Sequence, residues 1–169
     1  MPKIGLLSDT HSYLDERVFH HFKDVDEIWH AGDVGDVSVI HQLEEFKPLR
    51  GVYGNIDNDE VRRIFPQDLR FNYEGMDVWM THIAGSIYVY DKRIREPMRR
   101  NPPQILICGH SHILKIQMDK RLNMLYINPG AIGRHGFHKI RTALRFNIAE
   151  GRIYDMEAIE LGPRARPDK

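Results

Sequence analysis

The sequence predicts an α/β fold in which two β-sheets pack face to face with helices on the outside. The first third of the chain contains three successive units of a short apolar run, a polar turn and a following segment, a pattern typical of parallel strands with crossover connections. Apolar and polar residues alternate through much of the last third, as expected of half-buried antiparallel strands. At 169 residues, the chain is long enough to form one domain with a core of its own.

The N-terminal third is predicted to contain three strands that each end in a polar turn. Each strand is a short apolar run that is closed by glycine, carboxylate, amide or histidine residues. Between them, apolar residues recur at helical spacing, which predicts two helices. The predicted strands cover residues 4–7, 27–30 and 49–53, and the predicted helices cover residues 16–25 and 37–46.

A β-hairpin is predicted after these units. Residues 69–73 alternate between apolar and polar side chains, and residues 76–80 form an apolar run after a tight turn at Glu74-Gly75. The basic segment 88–100 is predicted to be partly loop and partly helix, because a following Pro-Pro pair ends it.

The remaining third is predicted to be β-structure. Residues 105–108 form an apolar run that ends in glycine and two histidines, the pattern of a buried strand with polar groups at its carboxyl end. Turn residues separate the strands that follow it. These later strands are predicted at residues 115–118, 124–127, 142–148 and 153–161.

Composition and patterning bound the class of protein. Lys plus Arg and Asp plus Glu both number 24, and the resulting zero net charge disfavours a nucleic-acid partner. The N-terminal residues show no signal-peptide pattern, and no apolar run approaches membrane-spanning length, so we expect a cytoplasmic protein without a membrane partner. One domain is expected over residues 1–162, with a flexible tail at residues 163–169. A homo-oligomer remains open.

The pair His110 and His112 follows the buried strand at residues 105–108. Carboxyl ends of strands are where open α/β sheets place ligands. In an extended segment, residues one apart point to opposite sides. We therefore expect these two imidazoles to serve two neighbouring ions rather than to bind one ion together.

Polar residues of metal-ligand type follow five predicted strands. Two carboxylates, four imidazoles and one amide make a mixed nitrogen and oxygen set, which suits Mn²⁺, Fe²⁺, Ni²⁺ or Zn²⁺ better than Mg²⁺ or Ca²⁺. Seven ligands are too many for one ion with an open position, but they suit two ions with a shared ligand. The set comprises Asp9, His11, Asp33, Asn55, His82, His110 and His112.

These short motifs occur in the order found in the calcineurin-like metallophosphoesterases, which the chain resembles from residue 3 to about residue 130. Length and order are most similar to the small phosphodiesterase branch, which also includes the retromer subunit vacuolar protein sorting 29. The resemblance implies a four-layer α/β/β/α sandwich with two packed mixed β-sheets. It is carried by Asp9-x-His11, Gly32-Asp33, Gly54-Asn55, His82 and Gly109-His110-x-His112.

The resemblance also implies a role for each residue of the set. Asp9, His11 and His112 would hold one metal ion. A second group, Asn55, His82 and His110, would hold another, and Asp33 would bridge the two. We expect manganese, with nickel, iron or zinc as alternatives.

A small phosphoester is the substrate that these roles imply. Two ions about 3.5–4 Å apart can clamp an in-line displacement at phosphorus, with a bridging hydroxide as the attacking group. Asp33, Asn55 and His82 are therefore expected to take part in catalysis as well as in metal binding. The amide of Asn55 has an oxygen for the metal and an NH₂ group for a phosphate oxygen.

The chain departs from the family pattern at two places, and the first leaves the proton donor for the leaving group open. Many relatives have a histidine directly after the Gly-Asn pair, where this chain has Ile56. We expect the next residue, Asp57, to orient a ligand histidine rather than to act as the general acid. Relatives also often have His-Gly-His where this chain has His82-Ile83-Ala84, and the loss of the second histidine is expected to alter substrate contacts.

Other polar residues have two interpretations each. His30 is either a support behind the metal site or an ordinary buried strand histidine. His135 and His138 are expected at the surface, with a place at the substrate entrance as the alternative. The arginines of the basic segment 88–100 are expected to form a solvated face, although they could steer an anion.

Three functions are compatible with the sequence. The leading hypothesis is a phosphodiesterase that acts on small phosphoesters. A non-enzymatic protein-interaction scaffold of the vacuolar protein sorting 29 type is the second, because one fold serves several functions. A nuclease is the third, and the zero net charge counts against it.

Overall fold

A computed structural model describes residues 1–164, and their main strands form two five-stranded sheets. Among these residues, no helix has the length and apolar character needed to cross a membrane. In chain order, the elements are β1 (Lys3–Leu7), α1 (Arg17–His21), β2 (Glu27–His30), α2 (Ser38–Phe46), β3 (Leu49–Gly51), α3 (Asp59–Ile64), β4 (Asp68–Tyr73), β5 (Met76–Thr81), β6 (Gly85–Ser86), β7 (Val89–Tyr90), α4 (Lys92–Arg100), β8 (Ile105–Ile107), β9 (Leu114–Asp119), β10 (Met124–Pro129), β11 (Ile140–Ala149) and β12 (Arg152–Pro163).

The first sheet has the strand order β12-β11-β1-β2-β3. Strands β1, β2 and β3 are parallel, whereas β11 is antiparallel to both β1 and β12. Because parallel strands point the same way, the loops after β1, β2 and β3 meet at one edge of the sheet. Asp9, Asp33 and Asn55 lie in those three loops.

The second sheet has the strand order β4-β5-β8-β10-β9. Its three central strands are parallel and its two edge strands are antiparallel to their neighbours. The predicted hairpin is confirmed as β4 and β5, and both turn residues, Glu74 and Gly75, have positive φ angles (49° and 83°), as a two-residue type I′ turn requires. His82 follows β5, and the two histidines of the Gly-His-Ser-His stretch follow β8.

Three apolar clusters separate four layers. The central cluster lies between the sheets and includes Leu6, Trp29 and Ile107, all of which are fully buried. Each such side chain contributes about 2 kcal/mol through its removal from water. A second cluster packs α1, α2 and α3 on the first sheet, and a third packs α4 on the other sheet. The fold is therefore the predicted α/β/β/α sandwich with two mixed sheets.

Some elements of the chain differ from the prediction. The helix predicted at residues 16–25 is shorter, and only α1 is regular helix. The strand predicted at residues 49–53 ends earlier, at Gly51. Helix α3 was not predicted, although its start has a clear signal: the Asn58 side chain accepts a hydrogen bond from the Val61 N–H (3.2 Å), the usual N-cap contact.

Strand β12 extends into the segment 163–169, which was expected to be a flexible tail. Pro163 still belongs to β12, and the backbone N–H of Arg164 donates to the Lys139 carbonyl oxygen (2.9 Å). Two residues of the expected tail at 163–169 thus continue the ordered structure. The other five, residues 165–169, lie outside the described residues.

Candidate metal centre

The structure brings the seven predicted residues together where the two sheets end. Six of them form two groups, and within each group one ligand atom per residue lies within 4.8 Å of the others. The seventh, Asn55, places its Oδ1 atom 3.1 Å from Nδ1 of His110. One group is Asp9, His11 and His112, and the other is Asp33, His82 and His110.

His110 and His112 fall in different groups, as the sequence predicted. The reason is not the one expected, because neither residue is extended. Their φ angles are 69° and 63°, which places both in the left-handed region. The separation of the two imidazoles therefore comes from the loop after β8 and not from the alternation of a strand.

The Asp9 carboxylate has one oxygen held by the protein and one oxygen free. Oδ2 accepts hydrogen bonds from the Ser8 hydroxyl (2.6 Å) and from the His110 backbone N–H (3.2 Å). Oδ1 is buried and has no hydrogen-bond partner among the described residues, and it lies 3.2 Å from Nε2 of His112. Buried polar atoms nearly always have a partner, so this oxygen is positioned for a ligand such as a cation.

The Asp33 carboxylate lies between the two groups. Its Oδ1 atom accepts a hydrogen bond from the Ile56 backbone N–H (3.1 Å). Its Oδ2 atom is 3.1 Å from Nε2 of His82 and 3.4 Å from Nε2 of His11. Since those imidazoles belong to different groups, one oxygen of Asp33 faces both of them.

The imidazole of His82 is fixed by the backbone. Its Nδ1 atom lies 2.7 Å from the Ala31 carbonyl oxygen, which can only accept, so Nδ1 carries the hydrogen. In the neutral ring, Nε2 then presents its lone pair to the carboxylates of Asp9 and Asp33. A carbonyl behind a histidine is the usual way in which proteins orient a metal-binding imidazole.

The electrostatics of the site favour bound positive charge. Burial raises the pKa of Asp9 and of Asp33, but the imidazoles close to the two carboxylates outweigh burial and hold both pKa values well below their usual range. Burial lowers the pKa of His11, but the nearby carboxylates of Asp33 and Asp9 outweigh it and raise that pKa to about 9. The carboxylates are therefore ionised at neutral pH, and they attract either protons on nearby imidazoles or metal cations in their place.

The donor set fits two divalent cations. Among the described residues, three buried polar atoms at the centre have no hydrogen-bond partner, and all three are of the type that binds transition metals. They belong to both groups, so each candidate group contains at least one ligand atom without a partner. These atoms are Oδ1 of Asp9, Nε2 of His11 and Nε2 of His82.

Left-handed backbone conformations are concentrated at the centre. A non-glycine residue with positive φ costs about 1–2 kcal/mol, so a cluster of such residues needs a compensating reason. Here the strained loops turn side chains from several strands toward a common point. Five of the seven candidate ligand residues have φ between 45° and 69°: Asp9, His11, Asp33, His110 and His112.

Two glycines allow the loops to approach one another. A Cβ atom at Gly54 would overlap the Asp33 carboxylate and its backbone nitrogen. A Cβ atom at Gly109 would lie 2.8 Å from Oδ2 of Asp9 and would overlap the Ser8 hydroxyl. The glycine in each of the Gly-Asn and Gly-His motifs is thus required by close packing against a carboxylate of the site.

The expectation that Asp57 orients a ligand histidine is wrong. Its carboxylate is buried and accepts hydrogen bonds from three backbone N–H groups, those of Val34 (3.1 Å), Gly35 (2.9 Å) and Gly54 (2.7 Å). These donors lie in the turns after β2 and β3 and have no partner in a strand. Asp57 therefore joins the loop of Asp33 to the loop of Asn55.

His30 joins the loops after β1 and β2. The Gly32 backbone N–H donates to Nδ1 of His30 (3.1 Å), so the ring hydrogen of the neutral imidazole is on Nε2. Nε2 lies 3.1 Å from the Thr10 hydroxyl, which donates its own hydrogen to the Val34 carbonyl oxygen (2.7 Å). His30 is thus a buried strand histidine and also a support behind the two carboxylates.

We expect His30 to make stability depend on pH. Burial lowers its pKa from 6.5 to about 4, so between these values the unfolded chain binds a proton that the folded chain does not. Stability should therefore fall as pH falls from about 6.5 to about 4, by up to about 3 kcal/mol. Urea unfolding in chelator across this range should show a shallower decline for His30→Gln, which does not titrate. Equal slopes for the two proteins would contradict this assignment.

The loop after β10 lies against the first group. The rings of His135 and His11 stack with centroids 4.6 Å apart, and the ring of His138 meets that of His112 edge-on at 5.1 Å. His135 is exposed, as expected, whereas His138 is half-buried and lies 2.9 Å from the Gly133 carbonyl oxygen. These contacts favour the alternative in which both histidines flank the site.

A cleft of about 390 Å³ opens beside the second group. Asn55 and His82 line it together with Tyr53, Arg62 and Gln67. The last three were not singled out from the sequence, because no short motif contains them. Their common signal is position, since they come from the segment between β3 and β4 that also contains the unpredicted helix α3.

The basic segment is largely paired, as expected of a solvated face. Arg93 pairs with Asp68 (2.6 Å), and Arg99 and Arg100 both lie within 3.5 Å of Glu96. Arginines that are already paired with carboxylates attract an anion weakly.

A four-layer sandwich with two aspartate and histidine groups at the sheet ends defines the class of metal-dependent phosphoesterases. Residues 2–151 match the family described as the calcineurin-like phosphoesterase superfamily domain, and the chain belongs to this superfamily. The family assignment made from the short motifs is thus confirmed.

Similar proteins include an archaeal relative and two solved structures. A probable metallophosphoesterase of Methanothermobacter thermautotrophicus is 32% identical over 135 residues, 76% of each chain. The structure of a novel archaeal phosphodiesterase matches with a TM-score of 0.76 and 21% identity, over 94% of this chain and 99% of that one. Vps29 of Entamoeba histolytica in complex with Zn²⁺ matches with a TM-score of 0.68 and 15% identity, over 94% and 98%. These two identities support the fold alone.

Proposed function

We propose that the chain is a phosphodiesterase that hydrolyses a small phosphoester at a dinuclear metal centre. The observation that carries this proposal is the position of Asp33, whose Oδ2 atom faces an imidazole of each group. A carboxylate oxygen between two ligand groups is the arrangement that a shared ligand of two ions requires.

The remaining ligands divide between the two ions. Asp9, His11 and His112 are assigned to one ion, because their ligand atoms form one group. His82 and His110 are assigned to the other, and Asn55 joins them because its Oδ1 atom lies 3.1 Å from His110. Nitrogen and oxygen donors in this ratio suit Mn²⁺, Fe²⁺, Ni²⁺ or Zn²⁺, and manganese is the ion that we propose.

Each part of the centre has a place in the chemistry. Two divalent ions bound there supply Lewis acidity and an activated water for in-line displacement at phosphorus. Asn55 is exposed and lines the cleft, where its NH₂ group can donate to a phosphate oxygen. The buried hydrogen bonds behind Asp9 and His82 hold their ligand atoms in place, so little reorganisation is needed during the reaction.

The absence of a proton-donating side chain directly after Asn55 favours substrates that are diesters or that have a good leaving group. Many relatives have a proton-donating histidine there, whereas this chain has Ile56, whose side chain is exposed and cannot donate a proton. A leaving group that is stable as an anion needs no general acid. Activated phosphodiesters are therefore the substrates of first choice for a test.

A protein-interaction scaffold is the second candidate function. The edge strand β9 exposes Leu114, Ile116 and Met118, which lie on one face of the strand because they alternate with Lys115 and Gln117. Exposed apolar side chains on an edge strand favour contact with another protein. Metal binding does not discriminate between the two candidates, since the similar Vps29 structure is complexed with zinc.

Hydrolysis by metal-loaded protein tests the proposal. The protein is stripped with chelator, titrated with Mn²⁺ by calorimetry, and assayed with bis(4-nitrophenyl) phosphate at each metal concentration. We expect two bound ions per chain and hydrolysis that rises with the occupancy of the second ion. Full occupancy without hydrolysis, also with Ni²⁺, Fe²⁺ and Zn²⁺, would reject the enzyme and favour the scaffold.

A further inference from the structure

We infer that the cleft beside the second ligand group recognises a second anionic group on the substrate, and that Arg62 binds it. This inference rests on the proposed phosphoesterase function, which places the reacting phosphate at the metal centre. Arg62 and Tyr53 line the same cleft as Asn55 and His82, so a substrate whose phosphate lies at the metal centre shares that cleft with Arg62. The substrate class is then a phosphoester whose alcohol carries a carboxylate or a further phosphate.

The Arg62 side chain is held in place although it is exposed. Its Nε–H donates to the Asp57 carbonyl oxygen (2.8 Å), and its guanidinium lies over the Tyr53 ring at 4.5 Å. A free surface lysine or arginine loses much conformational entropy when it binds an anion, whereas a guanidinium fixed in this way loses little. The contact to Asp57 also ties Arg62 to the residue that joins the loops of Asp33 and Asn55.

The charge of Arg62 is available to a ligand. Among residues 1–164, the Arg62 guanidinium makes no ion pair, and Nε is the one nitrogen of the group with a hydrogen-bond acceptor. Its two terminal nitrogens therefore keep the paired N–H donors that match a carboxylate or phosphate. The other arginine of the cleft, Arg93, is committed to the protein, because it pairs with Asp68 (2.6 Å) and donates to the buried Thr81 hydroxyl (2.6 Å).

Calorimetric binding of compounds that the enzyme cannot hydrolyse tests this inference. The probes are phenylphosphonate, 4-carboxyphenylphosphonate and 1,4-phenylenediphosphonate, each added to the manganese-loaded protein. The quantity measured is the affinity of each of the two probes that carry a second anionic group, relative to the affinity of phenylphosphonate. For the unmodified protein, we expect a preference of about five- to tenfold for at least one of the two probes with a second anion, and the probe preferred identifies the anion as carboxylate or phosphate.

The variants are Arg62→Gln and, as a matched control, Arg63→Gln. Both remove one positive charge from α3, but Arg63 does not line the cleft. Arg62→Gln should bring the preference close to one, and Arg63→Gln should retain it. Arg62→Lys provides a second variant that keeps the charge but loses the paired donors, and we expect an intermediate preference.

The outcomes separate this inference from the proposed function. A preference near one in the unmodified protein, or a preference that survives in Arg62→Gln, overturns the role of Arg62 even if bis(4-nitrophenyl) phosphate is hydrolysed. Absence of hydrolysis with every metal overturns the phosphodiesterase, and the binding ratios still decide whether the cleft recognises a second anion.

Discussion

Asp33→Asn is expected to lower kcat/KM for a phosphodiester by at least about 100-fold and to weaken the binding of both metal ions. The substitution keeps the size of the side chain but removes its negative charge. Oδ1 of Asp33 accepts from the Ile56 N–H, and Oδ2 faces His11 and His82. An asparagine side chain has one oxygen, which can either accept from the Ile56 N–H or face the centre. Its NH₂ group must then occupy the other position. One substitution should therefore affect both ions.

Calorimetric titration with Mn²⁺ and hydrolysis of bis(4-nitrophenyl) phosphate measure the two effects on the same preparation. Asp36→Asn is the matched control, because Asp36 lies three residues further along the same loop, is exposed, and accepts from the Ser38 N–H (2.8 Å), a contact that asparagine can also make. The control should bind two ions and retain its activity. If Asp33→Asn also kept both, the assignment of Asp33 as the shared ligand would be wrong.

Much of the fold was predictable because its signals are local. Alternating side chains and the Glu74-Gly75 turn identify the hairpin of β4 and β5, and short apolar runs before polar turns identify the parallel strands. Helix α3 is short and places one buried side chain, Val61, against the sheet, so it has no apolar stripe to find. Its signal is the N-cap at Asn58, which is easily missed beside the motif that precedes it.

The meeting of the candidate ligand residues was predictable for a different reason. Parallel strands bring the loops after β1, β2 and β3 to one edge, so chemistry-bearing residues after successive strands must meet. The loop geometry was not predictable from residue spacing, and His110 and His112 show why. They fall in different groups as expected, but they do so through positive φ angles in a loop that contacts other loops, as in the hydrogen bond from the His110 N–H to Asp9.

Supporting residues are harder to predict than ligands, because a buried side chain can take any of several partners. Asp57 follows the Gly-Asn motif and was expected to contact an imidazole, but it accepts from backbone N–H groups instead. Arg62 belongs to no motif, and its position depends on a carbonyl oxygen and an aromatic ring. Such choices are determined by which donors the folded loops leave unpaired, and that information is in the tertiary structure.

Asp57→Asn is expected to destabilise the protein by about 2–4 kcal/mol and to weaken metal binding, although Asp57 is not assigned as a ligand. Three backbone N–H groups point at this buried carboxylate, and an asparagine amide would turn an NH₂ group toward at least one of them. A buried donor without an acceptor costs about 1–3 kcal/mol, and the charge-assisted bonds that remain become weaker. Since these bonds join the loops of Asp33 and Asn55, the two ligands should also lose their relative position.

Urea unfolding with and without Mn²⁺ distinguishes a positioning role from simple loss of stability. Asp59→Asn is the control, since Asp59 is exposed on the first turn of α3 and should change stability by less than about 0.5 kcal/mol. A folded Asp57→Asn protein should still bind Mn²⁺ more weakly than this control, and a high metal concentration should recover part of the lost stability, because ions bind the native state. Equal metal affinity in the two variants would mean that Asp57 stabilises the fold without positioning the ligands. Weaker Mn²⁺ binding by Asp57→Asn, which we expect, would instead show that the hydrogen bonds of Asp57 help to position the candidate ligands, although Asp57 belongs to no metal-ligand motif.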